Sequence, residues 1–408
     1  MEQNQKRTDI NDVSTPKPLT GCKDSDFQRD NQVNPNIIRV GNDVLEVIYV
    51  PDINGNLHKR VVGRTREVIK ERYGAAVLNS APYFQAMAIV PSHTDYRQVV
   101  NECWNSYHEI EVKPEKGQHP CWDSLMNRIF GEQVELGWDY LTILYRRPTQ
   151  VLPILCLVSP ENHTGKSTFG NALSYIFGQN VGFFTQDDLN SQFNTWVANL
   201  IAVFEEISDT NRSLNKIKAM STAKEVTVNE KYKPQIKFQP FVKILILSNN
   251  EDTFVKAGPD DIRYWVRKLH PLKQSDYIPN FDDKLREEVP AVLYNLSTRE
   301  MNTGKDSRMW FDFQSIRTDA LENVVANSLS QCAKDILIWA EQWEDCYATE
   351  MEIYDGLRGR YPLNEVRFAL KKELRLKNPC QRYVDIHGSS LNGRAYHIVT
   401  EQKNVTLL

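Results

Sequence analysis

Three short stretches carry residue types that can do chemistry at a defined spacing. The first runs Ser159-Pro160-Glu161-Asn162-His163-Thr164-Gly165-Lys166-Ser167-Thr168-Phe169. Gly165 can let a loop curl so that backbone N–H groups surround a phosphate. Lys166 can reach β- and γ-phosphates, and the Ser167 hydroxyl can ligate Mg²⁺. Thr168 falls in the first turn of the helix that follows, whose dipole would face the same anion. The pattern departs from G-x-x-x-x-G-K-[ST] at one place, because Pro160 stands where the first glycine belongs. A bare G-K-S is common by chance, so this stretch alone would read as an ordinary turn. His163 is expected to shape the loop or to face solvent rather than to act as a catalyst.

The second stretch, Leu200-Ile201-Ala202-Val203-Phe204-Glu205-Glu206, ends an apolar run in two carboxylates. Glu205 is suited to hold Mg²⁺ through water, and Glu206 to activate the attacking water. The third, Ile244-Leu245-Ile246-Leu247-Ser248-Asn249-Asn250, ends in Asn249, which can polarise or sense a γ-phosphate. Singly, paired acids begin a solvated loop and an asparagine-rich end is a turn. Three such elements in this order, each closing an apolar run, predict one nucleotide site for ATP and Mg²⁺.

Those residues need strands to position them. Residues 151–158 form a continuous apolar run bounded by turn residues, as a buried parallel strand requires. The runs ending at Phe204 and Leu247 repeat it, with helical patterns between. The alternation predicts an α/β fold with ligands at the carboxyl ends of the strands.

Around this core the pattern changes. Residues 1–35 are polar and proline-bearing and are expected to be a disordered tail. Residues 37–63 alternate β-branched side chains about Asn54-Gly55, which predicts a hairpin, and 64–74 predict a helix stopped by Gly74. Residues 36–118 are therefore expected to form a small N-terminal α+β region. Helical spacing over 95–107 and 122–147 predicts helices leading into the core, and 119–300 is expected to hold a helical collar plus the ATPase core. Within 282–300, Leu285, Val289, Val292, Leu293 and Leu296 share one helical face. Residues 301–408 predict a long helix over 318–343, two short helices about Tyr361-Pro362, and a hairpin turning at Asn392-Gly393. Helix, helix, hairpin is the order of a winged-helix domain.

Composition narrows the classes. The 408 residues are 41% hydrophobic and 25% charged with net charge -4, so nucleic-acid binding must come from a local basic patch. The seven cysteines include no C-x-x-C pair, which points away from a zinc site or a disulfide framework and toward a reducing cytosol. No run is long enough to span a membrane, and a cytoplasmic setting is expected, the host cytoplasm for a phage-encoded chain.

Taken together, the motifs resemble superfamily 3 helicases of viruses, phages and plasmids. Val203-Phe204-Glu205-Glu206-Ile207 is similar to the short Walker B of the polyomavirus and papillomavirus replicative helicases. Ile244 to Asn250 is similar to their motif C, and Asp260-Asp261-Ile262-Arg263-Tyr264-Trp265-Val266 to the segment carrying their arginine finger, which places that role on Arg263. Tyr145-Arg146-Arg147-Pro148-Thr149-Gln150 followed by Gly165-Lys166-Ser167-Thr168-Phe169 is closest to the phage/plasmid-type primase-helicase ATPases and their poxvirus-type relatives. The resemblance covers roughly residues 91–300. It implies a P-loop AAA+-like fold, ATP with Mg²⁺, a homo-hexameric ring and 3′-to-5′ translocation on single-stranded or forked DNA. Relatives often carry a primase domain upstream; about ninety residues precede Pro91, so a separate primase or replication protein is the expected partner.

The segment between the second and third stretches is rich in lysine, including Lys218, Lys231 and Lys233. The family's pore hairpin maps here, and lysines at its tip would follow a phosphate backbone without sequence preference. A solvated face is the plainer alternative. Arg367, Lys371, Lys372, Arg375 and Lys377 would give the C-terminal domain a surface for duplex DNA or for the ring. The expected function is an ATP-dependent DNA helicase. Alternatives are an ATP-switched initiator or loader without unwinding, and a P-loop enzyme unrelated to DNA.

Overall fold

A computed structural model describes residues 36–51, 55, 57–207, 211–220, 223–228, 236–258, 261–343 and 345–399. The expected tail and the hairpin tip carrying Lys231 and Lys233 lie outside these residues. The chain divides into two compact units, one ending at Phe84 and one beginning at Gln85.

In the first unit Ile37–Val40 pairs antiparallel with Asp43–Pro51, which pairs antiparallel with Leu57–Arg64 as the alternation predicts. Tyr83–Phe84 adds parallel to the first strand. Helix Arg66–Tyr73 starts at Thr65, whose hydroxyl accepts from Val68 N, and stops at Gly74 with φ 85°. Ile37, Val44, Ile69 and Leu78 form the small core. Glu46 is buried beside it and accepts from Tyr73 Oη at 2.5 Å and Arg64 Nε at 2.7 Å. Burial raises its pKa, but these bonds outweigh that and hold it below the ordinary value.

The second unit is built on five strands: β1 (Ile154–Val158), β2 (Val181–Phe184), β3 (Ile201–Glu205), β4 (Lys243–Ser248) and β5 (Tyr264–Lys268). All pairings are parallel, in the order β5-β1-β4-β3-β2. Side chains alternate between two cores, as period 2 requires. Leu155, Leu157, Leu245, Leu247 and Trp265 face one core with Trp122, Leu141, Phe169 and Leu293. Ile154, Cys156, Val158, Phe204, Ile246 and Val266 face the other with Trp196, Ile217 and Val324. Both faces are covered, which is why these strands read as unbroken apolar runs. The expected face at Leu285, Val289, Val292, Leu293 and Leu296 is buried in the first core.

Three local expectations are corrected. Residues 95–107 are not helical: Val99–Val100 and Cys103–Asn105 pair about a turn at Asn101 and Glu102, both at positive φ. The apolar spacing there reflects contacts of short strands and their turn, which imitate a helical period. The helix expected over 318–343 is two, Asp319–Ser328 and Gln331–Ala340, because the Ser330 hydroxyl accepts from Ala333 N and starts the second. The turn expected at Asn392-Gly393 is strand. Hairpin Cys380–Val384 with Ser390–Arg394 turns instead at Asp385–Ser389, where Asp385 accepts from His387 N and Ser389 N.

The C-terminal elements run helix, strand Asp345–Ala348, helices Glu350–Gly356 and Leu363–Phe368, hairpin, then Tyr396–Val399 paired with Asp345–Ala348. Cys332, Ile336, Val366, Leu370 and Tyr396 make their core. Among the described residues no helix is long and apolar enough to cross a membrane.

Lys243 is buried at the start of β4, and its ammonium donates to the carbonyls of Pro148 and, at 2.8 Å, Phe241. Desolvation pulls its pKa down to about 7. A base with a depressed folded pKa binds fewer protons folded than unfolded, so stability rises as pH climbs from about 7 toward the unfolded value near 10.5. Lys243→Met is expected to flatten that rise in urea midpoints measured between about pH 7 and 10. An unchanged slope would show that Lys243 stays charged in the folded protein.

Candidate nucleotide-phosphate site

The loop between β1 and the helix Lys166–Phe177 turns without its first glycine. Its positive-φ positions are His163 (φ 56°) and Gly165 (φ 94°). Gly165 takes the left-handed conformation immediately before the helix, where a side chain would be strained. The His163 carbonyl accepts from Leu272 N at 3.2 Å, so the segment after β5 braces the loop. The His163 side chain itself is exposed. The Ser159 hydroxyl accepts from Glu161 N at 3.3 Å and so turns the chain at Pro160.

Lys166 is buried, and its Nζ donates to the carbonyls of Ser159 at 2.9 Å and Glu161 at 3.2 Å. Its pKa is lowered by desolvation, against the pull of the Glu161 and Glu206 carboxylates. Ser167 is exposed on the first turn and Thr168 half-buried.

β4 lies between β1 and β3, so the three stretches end side by side. Ser159 N donates to Ser248 O at 3.1 Å, and Glu206 N to Leu247 O at 2.9 Å. Asn249 Nδ2 donates to Glu206 Oε1 at 2.8 Å. Glu206 holds φ 52°, an uncommon conformation for a residue with a side chain, at the point where its carboxylate meets Asn249. Glu205 and Glu206 are both exposed at this edge. Lys166, Glu205, Glu206 and Asn249 thus share one edge of the sheet.

Arg263 lies elsewhere. It immediately precedes β5, and its carbonyl accepts from Ile154 N at 2.7 Å, at the amino end of the sheet. A five-residue strand separates the two edges by roughly 17 Å. Arg263 grips Asp261 through Nε–Oδ1 at 2.6 Å and Nη2–Oδ2 at 2.5 Å. Within one chain it is not a member of the Lys166 edge. Lys218 is half-buried on helix Asn211–Met220. Strands Val226–Val228 and Ile236–Phe238 form the base of the expected hairpin.

One residue of the site left no trace in the spacing. Arg128, on the helix Pro120–Phe130, donates through Nε to Thr164 O at 3.0 Å and through Nη2 to His270 O at 2.8 Å. It fixes the loop backbone just before Gly165. Nothing in its neighbourhood in the sequence marks it, because its partners lie 36 and 142 residues away. Among the described residues no three His, Cys, Asp or Glu side chains gather as a metal cage.

Residues 157–263 match a family described as a family of unknown function, DUF5906. No curated protein matches the chain. The apo structure of the NrS-1 C terminal region (305-718) is similar at TM-score 0.61 and 16% identity, over 88% of this chain and 96% of that one. Its A form gives TM-score 0.58 at 16% identity, over 90% and 96%. A JCV helicase bound to a small molecule reaches only TM-score 0.31 at 11% identity, over 54% and 64%. The chain therefore shares the overall fold of the NrS-1 C terminal region.

Proposed function

We propose that this chain is an ATP-hydrolysing motor of the replicative helicase type that acts on single-stranded DNA. The observation that carries the reading is the meeting of Lys166, Glu206 and Asn249 at one sheet edge, with Asn249 hydrogen-bonded to Glu206 at 2.8 Å. In this reading the Gly165 curve and the Lys166–Phe177 helix terminus receive the phosphates, and Lys166 leaves its two carbonyls for the β/γ oxygens. Mg²⁺ suits the donors present. It keeps most of its water shell and needs only a hydroxyl and a carboxylate here, supplied by Ser167 and Glu205, besides phosphate oxygens. Glu206 accepts the proton of the attacking water, and Asn249 holds that carboxylate and senses the γ-phosphate. Bound nucleotide supplies the phosphoanhydride to be cleaved.

The rest of the assignment follows the same reading. The sheet and its flanking helices are a P-loop AAA+-like core, and the C-terminal elements are a winged helix. Lys218, Lys231 and Lys233 line a pore within a hexamer, with Arg263 serving the neighbouring subunit and priming supplied by another protein.

ATP hydrolysis is expected to rise several-fold with oligothymidylate in the wild-type protein and to vanish in Lys166→Ala, which removes the charge facing the phosphates. Displacement of a labelled strand from a forked duplex then separates a helicase from an initiator that only binds. Hydrolysis indifferent to DNA would favour a P-loop enzyme of another kind.

A further inference from the structure

We propose that a basic cleft at the amino end of the central sheet binds the phosphate backbone of single-stranded nucleic acid. The cleft has a volume of about 560 Å³, and its walls include His93, Arg146, Arg147, Gln239, Lys305 and Arg308. Among the described residues no carboxylate lines it. Asp306 follows Lys305 in the chain but stands outside the lining. The cleft is separate from the Lys166 edge, since β1 begins just after its Val151 wall and carries the phosphate loop at its far end, roughly 17 Å on.

The cations divide into structural and available ones. Arg146 is spent on the fold: Nε and Nη2 donate to Leu296 O at 2.7 Å and Arg299 O at 2.6 Å, closing the end of helix Val289–Thr298. Arg147 is exposed and lies over the Trp310 ring at 4.9 Å. Stacking fixes the plane of a guanidinium and leaves its edge donors for an anion. Lys305 and Arg308 are also exposed. None of these three has an ion-pair partner among the described residues. Cations gathered without a counter-charge raise the local potential and attract a polyanion.

The walls are held in place. The Lys243 ammonium fixes the Pro148 carbonyl, and so the Arg147-Pro148-Thr149 turn. Gln150 Nε2 donates to Arg308 O at 3.1 Å and ties the Lys305–Arg308 segment to that turn. His93 spans Tyr145 O at 2.8 Å and Tyr107 Oη at 2.6 Å, so its ring anchors the opposite wall. Burial keeps that ring neutral, and the charge of the cleft comes from the exposed arginines and lysine.

An extended chain of phosphates fits this lining better than a free nucleotide does. The Trp310 ring is covered by Arg147 and the His93 ring stacks on Tyr145, so neither offers a free platform for a stacked base. Gln239 directly follows Ile236–Phe238, the base of the hairpin proposed to grip DNA, so the cleft adjoins that base. This last point rests on the reading given under Proposed function; the cleft itself does not.

The test is fluorescence anisotropy with fluorescein-labelled oligothymidylate across a potassium chloride series. Lys305→Ala with Arg308→Ala replaces two exposed side chains that the fold does not use. The pair is expected to weaken binding about tenfold near 0.1 M salt and to lower the log–log salt slope by about 1.4, two contacts at about 0.7 each. Arg147→Gln is expected to act in the same direction. Unchanged affinity and slope in both variants would overturn the proposal. So would loss of tripolyphosphate binding with oligothymidylate binding intact, which would make the cleft a site for free polyphosphate. If the slope falls while wild-type hydrolysis ignores DNA, the helicase reading fails and the cleft stands. If hydrolysis responds to DNA while the slope does not fall, the reverse holds.

Discussion

Glu206→Gln is expected to lower the rate of ATP hydrolysis by about two to four powers of ten while leaving nucleotide affinity within a few-fold. The substitution keeps the shape of the side chain and its bond with Asn249, because an amide oxygen can accept from Asn249 Nδ2 as Glu206 Oε1 does at 2.8 Å. What it removes is the basic oxygen that takes the proton of water. Glu205 sits one residue earlier and is exposed at the same edge, so it is the competing base. Glu205→Gln is expected to raise the Mg²⁺ concentration needed for half-maximal rate, which Glu206→Gln should not. Single-turnover hydrolysis and fluorescent-nucleotide binding separate the two. Wild-type rates in Glu206→Gln would move the base to Glu205. Asn249→Ala gives a finer check, since it frees Glu206 without removing it and should cost less than Glu206→Gln.

Arg263→Ala is expected to cost about three to five powers of ten in rate without loss of nucleotide binding, the effect of removing an arginine from the transition state of phosphoryl transfer. Its position makes the expectation specific. Arg263 stands at the amino end of the sheet, with its carbonyl on Ile154 N, away from the Lys166 edge of its own chain, so the proposed role requires a neighbouring subunit. It is also gripped by Asp261 through two bonds of 2.6 and 2.5 Å, and that ion pair must open before the guanidinium reaches out. Asp261→Asn weakens the grip and is expected to change the rate far less than Arg263→Ala does. Mixing Arg263→Ala with Lys166→Ala subunits should restore part of the activity, because an intact Lys166 site then sits beside an intact Arg263. The measurement is steady-state hydrolysis in mixtures shown by light scattering to co-assemble. No recovery, with a lowered melting temperature in Arg263→Ala alone, would make the Asp261 pair a structural clamp and nothing more.

Runs such as Ile154 to Val158 and Ile244 to Leu247 announced themselves in the sequence because a strand buried on both faces must be apolar at every position. The turn at Gly165 and the helix stop at Gly74 were equally legible, since each depends on one residue's backbone freedom. So was the buried face of Leu285 to Leu296, which two successive helices, Phe281–Glu287 and Val289–Thr298, carry into the same core. Two strands of the sheet went unread: β2, short and partly exposed at Phe183, and β5, whose apolar part is only Tyr264, Trp265 and Val266 before Arg267 and Lys268. The false helix over 95–107 and the false turn at Asn392-Gly393 share a cause. Local propensity is weak where partner strands decide, and Asn392 and Gly393 are held in strand by Arg382 and Gln381 across the hairpin. Tertiary structure alone decided which strands are neighbours. Placing β4 between β1 and β3 is what joins Lys166, Glu206 and Asn249, and the parallel pairing of β5 with β1 is what puts Arg263 at the opposite edge. It alone brought Arg128 to Thr164 and Lys243 to Pro148, because hydrogen bonds across 36 and 95 residues leave no periodic mark on the chain. Sequence sets what each segment can bury and where it must turn; which side chains meet depends on the packing of segments that local chemistry does not connect.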